Sequence, residues 1–128
     1  MTITHINPDS MHKNPAFSQA VLVEGGRTLY IGEQNGVDDS GAIVAGGTGA
    51  QTAAAYRQIR TILEEVGGDQ SNVVRLVIYL APDADLAEGF AASGEAWGDY
   101  PTAVTVIYVA KLGRSDALIG IEAVAVLD

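Results

Sequence analysis

The chain reads as an α+β domain: a mixed sheet of six strands with two helices on one of its faces. Three observations carry this reading. Apolar residues recur at three- and four-residue steps in two segments, 50–66 and 85–98, which is the helical period. Elsewhere they alternate or run on in stretches rich in Val and Ile and closed by Gly or Pro, as strands do. Finally, the helices are interspersed with pairs of strands that read as hairpins, an order that belongs to layered α+β folds rather than to repeated βαβ units. No internal repeat or linker divides the 128 residues, so residues 1–128 are expected to form a single domain.

Taken in order, Ile3 to Ile6 is a short strand closed by Asn7-Pro8, and 7–16 is an irregular loop with Pro8 and Pro15. Gln19 to Glu24 and Thr28 to Gly32 read as two strands of a hairpin around Gly25-Gly26. Residues 33–49 are a Gly-rich excursion with room for a short strand near Ile43-Val44. Ala50 to Val66 follows as an amphipathic helix with Ala54, Ile59, Ile62 and Leu63 on its apolar stripe, stopped by Gly67-Gly68. Asn72 to Ala81 is β-branched and ends at Pro82. The second helix, Asp85 to Gly98, takes its N-cap from Asp83 or Asp85 and is weakened by Gly89 and Gly94. Ala103 to Leu112 and Leu118 to Leu127 read as a closing hairpin.

Composition excludes several functions. A net charge of −9 with only seven Lys and Arg, all scattered, argues against nucleic acid as a partner. With no cysteine there is neither a disulfide nor thiolate chemistry. The first eight residues lack the pattern of a signal peptide, and no apolar run is long enough for a bilayer, so no membrane partner and a cytoplasmic location are expected. Gly46-Gly47-Thr48-Gly49 lacks the lysine of a phosphate-binding loop and reads as a helix entry. Asp38-Asp39 lacks the later Glu of a calcium loop. His5 and His12 have no third ligand spaced to join them, and no metal is expected.

Two features point to a site. Ala103 to Ala110 is apolar on both faces, yet two helices cover only one side of a sheet. The uncovered face is expected to be buried in a closed homo-oligomer, which places any pocket between subunits. Within the last strand, Glu122 is the one charge, sharing a face with Leu118, Gly120, Val124 and Val126. A carboxylate there must be paired, hydrogen-bonded or partly protonated, or else face water at a strand end.

Phe17-Ser18-Gln19-Ala20-Val21 and Leu29-Tyr30-Ile31-Gly32-Glu33-Gln34 resemble the opening of the Rid family of reactive-intermediate deaminases, also called the YjgF family. Gln51-Thr52, Gly67-Gly68 and Val73 to Leu80 resemble its middle; Pro101, Val109-Ala110-Lys111-Leu112 and Ile121-Glu122-Ala123-Val124-Ala125 resemble its end. The resemblance implies a chorismate-mutase-like fold and a homotrimer built around a central barrel, with ligand clefts at the subunit interfaces. It also implies cofactor-free hydrolysis of 2-enamine or 2-imine acids to 2-keto acids and ammonia. In that scheme an arginine on the penultimate strand clamps the substrate carboxylate and the glutamate matching Glu122 positions water.

The chain departs from that pattern where the clamp belongs. No arginine lies between Trp97 and Leu112, the clamp position falls on Val104 or Ala103, and the motif tyrosine is Phe17. Losing a guanidinium forfeits charge-assisted hydrogen bonds of about 1.5–3 kcal/mol each. The chain is therefore identified as a member of an arginine-less branch, with Glu122 as the catalytic candidate and Phe17, Gly32, Tyr79, Val104 and Val106 as ligand-binding candidates. A small carbonyl- or imine-bearing molecule is the expected ligand. The alternatives are a non-catalytic binding or regulatory trimer, and a deaminase whose clamp comes from Arg75, Arg114 or Arg27.

Overall fold

A computed structural model of the protein describes residues 1–128. Its strands are β1 (Thr2–Ile6), β2 (Ala20–Glu24), β3 (Arg27–Asn35), β4 (Val73–Leu80), β5 (Ala103–Tyr108) and β6 (Ile119–Leu127). Helix α1 spans Gly47–Glu65 and α2 Leu86–Ala96, with a short 3-10 turn at Gln70–Asn72. The elements are those expected, but their pairing differs in three respects.

The six strands form two sheets rather than one. β1 and β2 pair antiparallel as a two-stranded ribbon, and β3-β6-β4-β5 form the main sheet. Neither expected hairpin forms. Gly25 and Gly26 do turn the chain tightly, both with positive φ, but β2 pairs with β1 and β3 pairs with β6. Likewise β5 lies parallel to β4 at the sheet edge, and β4 separates it from β6. Burial explains the second exchange. Seven of the nine residues of β6 are buried, so it takes a central place between β3 and β4. β5, with Val106, Ile107 and Tyr108 exposed, is left outside.

Ladder partners share a face of the sheet. One face carries Ile31, Leu76, Leu80, Ile119, Ile121, Ala123 and Ala125, which form the main core with Tyr56, Ile59 and Leu63 of α1. α1 ends in a Schellman motif: Gly68 N–H donates to the Leu63 carbonyl at 2.8 Å and Gly67 N–H to that of Glu64 at 3.1 Å, with Gly67 at φ +78°. α2 begins at Asp85, whose side chain accepts from Glu88 N–H at 3.0 Å. It packs on α1 at Gly89, where a Cβ would meet Thr48 and Thr52 at 3.3 and 3.4 Å. Because α2 lies mainly against α1, it leaves Phe90 66% exposed and the nearby side of β5 open.

The opposite face has no helix over it, as the two-helix count requires. Tyr30, Arg75, Val77, Tyr79, Thr105, Ile107, Glu122 and Val124 share it through the registers Tyr30↔Val124↔Arg75, Glu122↔Val77↔Thr105 and Tyr79↔Ile107. Tyr30 is 79% exposed there.

Candidate functional site

On this open face Tyr79 donates a short hydrogen bond to Glu122 Oε1. The two side chains lie one step apart on adjacent antiparallel strands, Glu122 opposite Val77 and Tyr79 opposite Gly120. A diagonal of that kind brings a long carboxylate within reach of a phenol. Glu122 is half-buried, and its other carboxylate oxygen has no partner within the chain. Tyr79 is held protonated above the ordinary phenol range. The hydrogen bond to Glu122 is the largest cause, followed by partial desolvation and the negative charges of Glu122 and Glu33, with Arg75 opposing. The phenol therefore stays a donor at neutral pH and fixes one oxygen of the acid.

A second carboxylate reaches the same place. Between Ile31↔Ala123 and Gln34↔Ile121 the β3-β6 register slips by one residue, so Gly32 and Glu33 form a β-bulge. Bulges re-aim side chains, and this one turns Glu33 over Gly120, where any Cβ would collide with its carboxylate. Asn35 Nδ2 donates to Glu33 Oε2 at 3.0 Å and to the Ile119 carbonyl at 3.1 Å, tying Glu33 to β6. Nothing in the period-two pattern announced Glu33, because a bulge is set by the partner strand.

Beside these groups lies a shallow cavity of about 250 Å³, lined by Tyr30, Gly32, Arg75, Val77, Glu122 and Val124 among others. Arg75 is its cation. The guanidinium donates to Thr105 Oγ1 at 3.2 Å and has no carboxylate partner. Of the three arginines weighed as a substitute clamp, it alone stands here. Arg27 donates to the Asp128 carbonyl at 2.8 Å, and Arg114 pairs with Asp116 and the Gly41 carbonyl.

The remaining expected residues lie elsewhere in the chain. Val104 and Val106 are ladder partners of Leu76 and Ile78, so they point to the helix side. With Phe17 they line a separate cavity of about 380 Å³, walled also by Tyr56, Phe90 and Trp97. Phe17, Val104 and Val106 therefore do not meet Glu122, Tyr79 and Gly32 within one chain; the sheet stands between the two groups. His5, set aside as a metal ligand, bonds through Nδ1 to Ser18 Oγ at 2.8 Å and pins β1 to the segment before β2. No group of three His, Asp or Glu is arranged to hold a metal ion, and no helix is long and apolar enough to cross a membrane.

Comparison with known proteins agrees with this architecture. The sequence matches the family described as Endoribonuclease L-PSP over residues 8–127. A RutC family protein of Pyrococcus abyssi is 33% identical over 110 residues, covering 85% of this chain and 84% of that protein. The 2-iminobutanoate/2-iminopropanoate deaminase of Capra hircus is 36% identical over 118 residues, 86% of this chain and 79% of that one. Among solved structures, a Rid-family protein of unknown function from Yersinia pestis superimposes with a TM-score of 0.85 at 31% identity, covering 99% of this chain and all of that one. A motif set that runs nearly the length of the chain, a fold of this kind and relatives of this closeness make the chain a member of the Rid/YjgF family.

Proposed function

We propose that this protein is a homotrimeric Rid-type protein whose intersubunit clefts bind a small carbonyl- or imine-bearing metabolite and, in the imines, hydrolyse the C=N bond without a cofactor. The observation that carries the reading is the Glu122–Tyr79 pair on a sheet face that no helix covers. One protomer presents two half-sites on opposite sides of its sheet, a polar one at Glu122 and an apolar one at Val104. Packing the open face and the exposed β5 edge against further copies is what joins a polar half from one subunit to an apolar half from its neighbour.

The chemistry asked of these residues is modest. Water adds its oxygen to the imine carbon while the unpartnered Glu122 oxygen takes its proton. Tyr79 holds the carboxylate in place during this step. That proton passes to nitrogen to give a carbinolamine; Glu122 then takes the hydroxyl proton and delivers it to the amine as the C–N bond breaks, so ammonia leaves and the water oxygen is retained as the carbonyl. Glu33 is placed to share the proton traffic.

A second reading has its own observation. Arg75, a guanidinium with no carboxylate partner in the same cavity as Glu122, supplies the carboxylate clamp that β5 lacks. In that case the substrate is a 2-imino acid, as in the deaminase named among the relatives.

The test is to generate 2-imino acids in situ with an amino-acid oxidase and follow the 2-keto acid formed, in parallel with mass measurement of the assembly. Glu122→Gln should abolish the acceleration and leave the trimer intact. Retained turnover would remove Glu122 from the mechanism. A trimer that binds keto acids without accelerating hydrolysis in the wild type would mark a non-catalytic binder. Arg75→Met separates the two readings: it should weaken carboxylated substrates and leave neutral imines unaffected if Arg75 is the clamp.

A further inference from the structure

We infer that the cavity at Phe17, Val104 and Val106 receives an aromatic or bulky branched side group of the ligand, so that the protein prefers keto- and imino-compounds with large apolar substituents over two- to four-carbon ones. The inference rests on the reading of these residues as the second half of the ligand cleft, and deepens it.

The lining itself argues for such an occupant. Ten of the fifteen lining residues are hydrophobic, and the cavity measures about 380 Å³, within the usual range of about 300–1,000 Å³ for small-molecule sites. Its walls include Tyr56 and Trp97, whose rings lie 4.8 Å apart at 31°. Phe90 and Val106 line its opening at 66% and 44% exposure, apolar surface left in water until something covers it. The single charged lining residue is Asp99, an acid, and there is no cation. A carboxylate therefore has no counter-charge at this end and is repelled from it, whereas a ring or branched alkyl group meets matching surface.

The geometry of β5 orients the ligand. Alternate residues of this strand serve the two sides: Val104 and Val106 line the apolar cavity, while Thr105 holds Arg75 on the polar face. A ligand lying across a β5 edge thus meets apolar surface at one end and, at the other, the Arg75 and Glu122 of an adjoining copy. Where a cation at position 104 would draw a carboxylate toward this pocket, valine leaves space and an apolar surface.

Trp97 is the chain's only tryptophan and lines the cavity, so occupancy reads directly in its emission. Phenylpyruvate, 4-methyl-2-oxopentanoate and 2-oxobutanoate are titrated calorimetrically against the wild-type assembly, the two aliphatic acids also by Trp97 fluorescence. The two larger acids should bind about tenfold or more tighter than 2-oxobutanoate, and 4-methyl-2-oxopentanoate should shift Trp97 emission. Phe90→Asp, on α2 rather than on the β5 edge, should erase the preference without loss of the assembly. Equal or tighter binding of 2-oxobutanoate, or no binding of the larger acids, overturns the inference even if small imines are hydrolysed. A size preference that persists in Glu122→Gln while turnover is absent in the wild type keeps the inference and removes the hydrolytic reading instead.

Discussion

At the scale of single residues, the site depends on what surrounds one carboxylate. The raised pKa of Tyr79 has the Glu122 bond as its first cause. Glu122→Gln should therefore bring the phenol back toward the ordinary value, and Glu33→Gln should lower it by less. A spectrophotometric titration of the five tyrosines, compared with Tyr79→Phe, reads this directly. Gly120 is a sharper probe. A methyl group there meets the Glu33 side chain rather than backbone, so Gly120→Ala should be accommodated by moving that side chain, with the fold kept in chemical denaturation. It should still displace Glu33 and lower turnover much as Glu33→Ala does. Val104→Arg tests the missing clamp from the other side: a gain of small imino-acid hydrolysis over the parent is the expected result, measured as keto acid released.

At the scale of elements, local signals and tertiary demands divide the work. α1 carries its own stop, since Gly67 at φ +78° lets Gly68 reach back to Leu63. α2 is the weaker helix and leans on its cap: Asp85 accepts from Glu88 N–H, and Thr48 Oγ1 accepts from Asp85 N–H at 2.9 Å. Asp85→Ala should cost about 1 kcal/mol in chemical denaturation and should loosen the wall formed by Phe90 and Trp97. Leu63 is fully buried on the sheet-facing side of α1, and Leu63→Ala should cost about 2–5 kcal/mol. The β3 bulge is an element-scale device of the opposite kind. It has no local sequence signature beyond Gly32, and it places Glu33 in the site.

At the scale of the whole molecule, the open sheet face and the acidic balance make separate predictions. A net charge of −9 should leave RNA unbound even at low salt, despite the name the family carries, and a flat titration against single-stranded RNA checks this. Alkaline stability should track Tyr56, whose phenol is pushed up by burial with Ser93 partly offsetting. A folded pKa above the unfolded one means the contribution is intact below the ordinary value of 10.0 and is lost as pH rises through the folded value. Tyr56→Phe should therefore flatten the alkaline limb of the stability profile.

Much of this protein was legible in the order of its residues. The two helices, the six strands, their Gly and Pro boundaries and the family likeness all arise from local periodicity and short motifs, which each segment carries by itself. Glu122 stood out because one charge in an apolar strand has few ways to be satisfied. Strand partnership was not legible: β2 and β3, or β5 and β6, are neighbours in the chain, yet the burial of seven of the nine residues of β6 set it between β3 and β4. Which face each residue took followed from that exchange, so the separation of Val104 from Glu122, the turning of Glu33 over Gly120 and the arrival of Arg75 beside the acid were settled only by tertiary pairing. Period-two patterning says which residues lie together on a strand, but pairing between strands decides what stands opposite them.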